Sequence, residues 1–373
     1  MEKLMKRISG SYEILGNLKH FIPTPLPPSN PPLQLTDELV AQYGATMQQL
    51  GRLNEIAGQL PNIDRFIKAY VIKEALLSSA IEGIHTTLLD VFTQPLSMSK
   101  PNKETQLVLN YTKALTAALH LMQEENLPLA SRVVLAAHEA LMSIQGGDQA
   151  NPGQYRSLSV RVGNLLPAPA PQIPKLMSDL EKYIHSNDEL PPLIKTGLVH
   201  VQFETIHPFL DGNGRVGRLL IVLMLINSRL LSSPIIYPSF YFKKHHFEYY
   251  NRLNAVETAG DFEGWILFYL KAIEASSRDA YQRAKKIEHL AADIRVLNIH
   301  KLADQVIDYL FQFPVTSVDE LAKALQKSYN TAKTIIQLFV DAKLLSLVEE
   351  QKRNKLYHFT PYLELLEQEF DDE

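Results

Sequence analysis

The sequence contains no cysteine among its 373 residues, which excludes a disulfide framework and any thiolate metal centre. It also lacks a long apolar run. The longest, Leu219 to Ile226, is far shorter than the roughly 20 residues that a membrane helix requires. The opening stretch M-E-K-L-M-K-R-I-S-G-S-Y has no continuous apolar segment of the secretory kind. Nor is there an excess of positive charge: 37 Lys and Arg stand against 41 Asp and Glu, a net of −4, which disfavours nonspecific nucleic-acid binding. From these absences we expect a cytoplasmic protein with no membrane partner. What is present is ordinary for a globular chain, 46% hydrophobic and 21% charged, and long enough for two or three domains.

Helical periodicity dominates. Six prolines between Phe21 and Leu33 forbid helix and central strand, so an extended arm is expected there, either a passive linker or a docked segment. Apolar residues at helical spacing follow over Ile63–Glu82, Glu104–Glu124, Ala130–Ser143, Ile173–His185 and Pro192–Ile206. Gly83 closes the first of these as a C-cap, leaving Glu82 in the last turn, where the helix dipole disfavours a carboxylate by about 0.3–1 kcal/mol. Glu82 therefore faces water or has a distant cationic partner. Between Gly146 and Pro171 glycines and prolines break the helical pattern, and Ser159-Val160-Arg161-Val162-Gly163 alternates with period two. A short strand is expected there, either a solvated ribbon or an edge that pairs with an extended peptide.

From about Lys285 the order helix, helix, turn, helix, β-ribbon predicts a winged helix-turn-helix, with its second helix at about Ser328–Ala342 and its hairpin tip at Arg353-Asn354. Leu290 to Glu373 holds nine Lys and Arg against fourteen Asp and Glu, six of the acids lying from Glu364 onward. A DNA reader shows a basic footprint, so a protein-interaction or dimerisation module is the preferred reading and DNA the disfavoured one.

The most informative stretch is Ile206 to Arg218, I-H-P-F-L-D-G-N-G-R-V-G-R. Pro208 stops the incoming helix, Gly212-Asn213-Gly214 turn the chain, and an apolar helix starts again at Arg215. Unpaired N–H groups at that helix start favour an anion. Arg215 and Arg218 share one face of the first turn, and Asp211 is a hard oxygen ligand suited to Mg²⁺. With His207 as a base, these are the parts of a phosphoryl or nucleotidyl transfer site. His200, Glu204, His207 and Asp211 would suggest a metal-binding helix face, but Pro208 and Gly212 break that helix. Tyr249 and Tyr250, on a later helix, have the chemistry to stack on a purine or to be core aromatics.

His207 to Arg218 resembles the signature of Fic-domain proteins, H-P-F-x-D/E-G-N-G-R-x-x-R, at every fixed position. Ser78-x-x-x-Glu82-Gly83 is similar to the family's inhibitory motif, here N-terminal to the core, and Tyr155–Leu166 resembles its target-docking flap. The resemblance implies a mainly α fold: an arm and inhibitory helix over 1–100, a helical catalytic core with a short β-hairpin flap over 101–284, and the winged helix over 285–373. It implies adenylyl transfer from ATP to a Ser, Thr or Tyr hydroxyl of a target protein or of the chain itself. In that scheme His207 is the general base, Asp211 holds Mg²⁺, and Gly212, Asn213 and Gly214 cradle phosphates. Arg215 stabilises the transferring group and Arg218 clamps the γ-phosphate. Tyr249, Tyr250 and Asn254 contact adenosine, Ser159 to Gly163 dock the target, and Glu82 inhibits by pairing with Arg218. An ATP-sensing winged-helix regulator and an enzyme that uses Glu82 to remove AMP are the alternatives; a homodimer is left open.

Overall fold

Two helices with no polar face, Pro192–Ile206 and Asn213–Asn227, bury nearly every residue and form the centre of the molecule. A computed structural model describes residues 7–59, 63–97, 102–143, 151–163, 165–348 and 355–368. In chain order the elements are β1 (Gly10–Leu15), β2 (Leu18–Pro23), α1 (Asp37–Gln59), α2 (Asp64–Ile81), α3 (Leu88–Thr93), α4 (Lys103–Gln123), α5 (Ser131–Met142), α6 (Ile173–Ile184), α7 (Pro192–Ile206), α8 (Asn213–Asn227), α9 (Ser239–Lys244), α10 (His246–Ala259) and α11 (Phe262–Val296). Helices α2, α4, α5, α6, α10 and α11 pack around the central pair. The expected mainly helical class is what the chain adopts.

The proline-rich arm is docked. It is preceded by an antiparallel β1–β2 hairpin with Gly10 opposite Pro23 and Leu15 opposite Leu18, which the sequence pattern did not suggest. Arg7 holds the arm by donating to the carbonyls of Pro31 (2.7 Å) and Pro32 (2.9 Å) while pairing with Glu263 of α11 (2.6 Å). Phe21 N–H then donates to Leu166 O (2.8 Å), which sets the hairpin beside the 155–166 segment.

The flap is cut down to a single antiparallel bridge. Among the described residues of 155–166, Val162 and Leu165 exchange both N–H···O bonds (2.9 Å each), and no named strand includes 159–163. Period-two alternation becomes a sheet face only where a longer partner strand accepts the ladder, and among the described residues the pairing stops at this one bridge.

The C-terminal elements are α12 (Ala303–Gln312), β3 (Val315–Ser317), α13 (Val318–Leu325), α14 (Tyr329–Asp341), β4 (Leu345–Leu347), β5 (Leu356–Phe359) and α15 (Thr360–Glu367), with the antiparallel sheet order β3-β5-β4. They follow the winged-helix order; the hairpin tip at 353–354 lies outside the described residues. α11 runs without interruption through residue 285 to Val296, so the core and the C-terminal unit share one helix instead of meeting at a loop. Arg283 on α11, fully buried and paired with Asp279, donates to the carbonyls of Leu365 and Gln368 and so ties α15 to the core.

Candidate functional site

Helix α7 ends because Pro208 cannot continue it, and His207 turns the chain in the left-handed conformation (φ 50°, ψ 62°). For a residue with a Cβ that backbone costs about 1–2 kcal/mol, and the surrounding contacts hold it there. The His207 backbone N–H donates to Phe203 O (3.0 Å) and its Nδ1 bonds Glu204 O (3.3 Å). A carbonyl oxygen only accepts, so Nδ1 carries the proton and Nε2 keeps its lone pair. Burial, reinforced by the nearby Arg156 guanidinium, pushes the ring pKa down to about 4. The imidazole is therefore neutral at pH 7, in the tautomer a base requires.

The loop after His207 is fixed from three directions. Asn213 spends both ends of its side-chain amide on Phe209, accepting from its N–H (2.8 Å) and donating to its C=O (2.9 Å). The Phe209 ring, fully buried, stacks on His138 of α5 at 3.7 Å between centroids. His138 Nδ1 accepts from Gly153 N–H (3.0 Å), so its Nε2 is the donor to Asp211 O (3.1 Å). Arg156, 2% exposed, donates from three nitrogens to the carbonyls of His207 (2.8 Å), Leu158 (2.9 Å) and Ala168 (2.6 Å), and its own N–H donates to Pro208 O. It thereby staples residues 156–158 and 168 to the loop.

Gly212 opens α8 with φ +80°, and Asn213, Gly214 and Arg215 occupy the first turn, ahead of the first helical bond from Val216 N to Gly212 O. Their N–H groups point out of the helix end. Arg215 is buried, with Nε and Nη1 lacking a hydrogen-bond partner among the described residues and Nη2 3.6 Å from Asp211 Oδ1. A buried guanidinium with unused donors is a costly arrangement that an anionic ligand would satisfy. The Asp211 side chain is 66% exposed; Oδ1 accepts from Gly212 N–H (2.6 Å), which leaves Oδ2 toward solvent.

Arg218, one turn further and 1% exposed, is held by α2. Its Nε donates to Ser78 Oγ (2.9 Å), and its Nη2 to Ser78 O (2.9 Å) and to Glu82 Oε1 (2.7 Å). Burial would raise the Glu82 pKa, but the Arg218 charge and its hydrogen bond outweigh that and hold the carboxyl below its ordinary value. Glu82 lies against the first turn of α8. A Cβ on Gly214 would come within 2.3 Å of Glu82 Oε1, so only glycine there admits the carboxylate. The carboxylate thus sits at the positive end of α8.

His207, Asp211, Gly212, Asn213, Gly214, Arg215, Arg218, Ser78 and Glu82 are therefore one cluster, with Gly83 (φ +76°) ending α2 beside it. Two of the other expectations change. The Asn213 amide is taken up by the loop, which leaves its backbone N–H for a ligand. Tyr249 is a core residue: 1% exposed, it packs on Phe242 at 4.7 Å and bonds His200 Nε2 (2.9 Å). Tyr250 is 42% exposed and keeps access to the site, and Asn254 is exposed one turn later. His200 Nδ1 bonds Gly217 O (2.9 Å), so both its nitrogens serve packing of α7 on α8 and α10. His138 and Arg156 were missed; neither lies in a recognisable pattern, and each acts through a backbone carbonyl distant in sequence.

Residues 128–225 match the Fic/DOC family model and residues 40–120 the Fic/DOC family N-terminal model. The chain is 30% identical over 235 residues to the protein adenylyltransferase Fic of Nematostella vectensis, covering 60% of this chain and 52% of that protein. It is 25% identical over 207 residues to the protein adenylyltransferase fic-1 of Caenorhabditis elegans, covering 52% and 39%. The chain thus spans about half or less of these curated relatives. A Fic family protein from Desulfovibrio desulfuricans G20 has the same fold, with a TM-score of 0.55 at 26% identity over 88% of this chain and 98% of that one. A Fic domain containing signaling protein from Bacteroides thetaiotaomicron shares the fold at 20% identity and a TM-score of 0.51, over 65% of this chain and 98% of that one.

Proposed function

From a chain that belongs to the Fic/DOC family and carries that family's N-terminal region, we propose a protein adenylyltransferase held inactive by its own Glu82. The transfer moves AMP from ATP to a Ser, Thr or Tyr hydroxyl of a target protein or of the chain itself. The observation that carries this reading is the meeting of a neutral His207, the open first turn of α8 and two buried arginines around one space. The names of the distant relatives support the choice of adenylyl over other groups.

His207 Nε2 takes the proton as the target hydroxyl oxygen attacks the α-phosphorus, the Pα–O bond to the β-phosphate breaks, and pyrophosphate leaves. General base assistance of this kind contributes about 10²–10⁴-fold. The N–H groups of Asn213, Gly214 and Arg215 and the α8 dipole hold phosphate oxygens. Arg215 Nε and Nη1, without partners among the described residues, donate to charge that develops on the transferring group. Arg218 binds the γ-phosphate through the edge that Glu82 now covers. One exposed carboxylate next to a phosphate cradle fits Mg²⁺, which keeps most of its waters and needs one or two carboxylates; bound at Asp211, it would neutralise charge on the α- and β-phosphates. Residues 159–163 present the target segment, and Arg156 fixes their base relative to His207.

Glu82 competes for this site in two ways. It occupies Arg218, and it places a negative charge at the α8 terminus where phosphate must lie. The test is incubation of the Glu82→Gly chain with α- and γ-labelled ATP. Label on protein from the α-position alone supports adenylyl transfer; label from the γ-position would make the enzyme a kinase, and none from either would make it a sensor.

A further inference from the structure

A cleft of about 910 Å³ opens between the helical core and the C-terminal unit. None of its lining residues belongs to the cluster around His207 and Arg218. On the core side stand Ile72 of α2, Val91 and Phe92 of α3, and Leu109 of α4; facing them are Phe313 and Val315, where α12 passes into β3. Small-molecule sites favour such junctions between units and run to about 300–1,000 Å³, with mostly apolar walls and a few polar groups that fix orientation.

The two walls are fixed to each other away from the cleft. α11 runs unbroken from the core into the C-terminal unit. α15 is tied down by Arg283, which donates to the carbonyls of Leu365 and Gln368, and by Lys73 Nζ, which donates to Leu366 O (2.7 Å). Apolar side chains held apart in this way gain by burial against an apolar body placed between them. Charge in the lining is confined to three side chains. Lys323 donates to Glu320 Oε1 (2.8 Å), so those two offset each other. The third is Lys68 of α2, whose Nζ lies 4.0 Å from the centre of the Phe313 ring. Among the described residues it has no carboxylate or carbonyl partner, and a ring face attracts the charge without offering a lone pair. Two lysines against one glutamate leave the lining with one net positive charge.

We infer that this cleft binds a small amphipathic anion, its apolar body between the Phe92 and Val315 walls and its charged oxygens on Lys68. The charge selects the occupant. A cationic ligand of the same shape meets the Lys68 ammonium as a like charge, and an uncharged one covers that ammonium without giving it an acceptor. An anion with an apolar body satisfies both the walls and the amine. The site is independent of the reaction proposed above, because it shares no residue with it.

The experiment titrates the full chain with anilinonaphthalene sulfonate, an apolar body with one anionic group that fluoresces in apolar surroundings. Decanoate, decanol and decylamine, which share a chain length and differ in charge, then compete for it. One saturable site is expected, with decanoate displacing the dye about tenfold more strongly than decanol, the equivalent of one charge-assisted hydrogen bond, and decylamine the weakest. Lys68→Met, which keeps the apolar stem, should weaken decanoate about tenfold and change decanol by less than about twofold, and Lys68→Arg should restore the preference. Val71→Trp fills the cleft from α2, and Thr116→Trp fills it from α4 where the first variant fails to fold; either should abolish saturable binding of the dye with the melting temperature kept. The inference is overturned if no saturable site is found, if the three competitors are equal, or if Lys68→Met leaves decanoate unchanged. Dye binding that survives a folded tryptophan variant puts the site elsewhere and overturns it as well. A chain that sediments as a dimer and is dispersed by Val71→Trp has a second copy in the cleft, which also refutes the small-molecule reading.

Discussion

Replacing Glu82 by glycine tests the central claim directly. The substitution removes one short bond, Glu82 Oε1 to Arg218 Nη2 at 2.7 Å, and leaves both bonds from Arg218 to Ser78. A charge-assisted hydrogen bond contributes about 1.5–3 kcal/mol when both partners are ordered. Arg218 is 1% exposed, which argues for the upper end, but Glu82 is 34% exposed and its charge is partly screened, which argues for the lower. Taking about 2 kcal/mol as the preference for the paired state, its removal raises the productive fraction of bound ATP by roughly 30-fold, at 1.4 kcal/mol per factor of ten. The loss of a carboxylate from the positive end of α8 adds to this. Folding stability should fall by only about 1–2 kcal/mol, because the stranded guanidinium keeps the Ser78 bonds. The assay counts α-labelled AMP on protein, with the melting temperature and ATP binding measured on the same samples. A folded, ATP-binding Glu82→Gly that incorporates no more label than wild type refutes autoinhibition by this contact. Glu82→Gln, which keeps an acceptor but no charge, should lie between the two.

His207→Ala in the Glu82→Gly background should cut transfer by about 10²–10⁴-fold with ATP affinity kept; retained transfer, followed by label incorporation, removes His207 as the base. His138, buried with its pKa lowered to about 4 against about 6.5 when unfolded, gives acid lability with a definite sign. Its contribution is fully present above pH 6.5 and is lost as pH falls toward 4, by up to about 3 kcal/mol, so the decline in urea midpoint over that window should be shallower in His138→Gln. The same burial keeps the His207 ring neutral, and its NMR signals should not titrate between pH 5.5 and 8; an inflection near 6.5 contradicts the buried-base geometry. Proline at Val160 or Val162 should lower target modification while leaving hydrolysis of ATP unchanged, and equal modification by both variants and parent removes strand-like docking at 159–163.

Much of the site was legible because it is contiguous. A proline, three glycines and an asparagine between two apolar helices allow few backbone paths, and the charged residues among them have nowhere to point except the opening. Other assignments depended on partners that sequence spacing does not reveal. Tyr249 and Tyr250 are neighbours with the same chemistry, yet one is sealed in an aromatic cluster with His200 and the other is open to the site. The alternation at 159–163 has the form of a strand, but among the described residues its pairing is the single Val162–Leu165 bridge. The proline arm could be a tether or a docked segment until Arg7 was seen bridging it to Glu263.

By itself, the sequence determined the helical class, the helix–loop–helix from Ile206 to Arg218 and the oddity of a carboxylate at the end of α2. Those features are local: propensity, caps and backbone restriction act over a few residues. Only the tertiary structure decided that Glu82 meets Arg218 across 136 positions, and that Arg156 and His138 clamp the 207–211 loop through its carbonyls. A buried polar atom takes whichever partner the packing brings, and packing is set by the whole core.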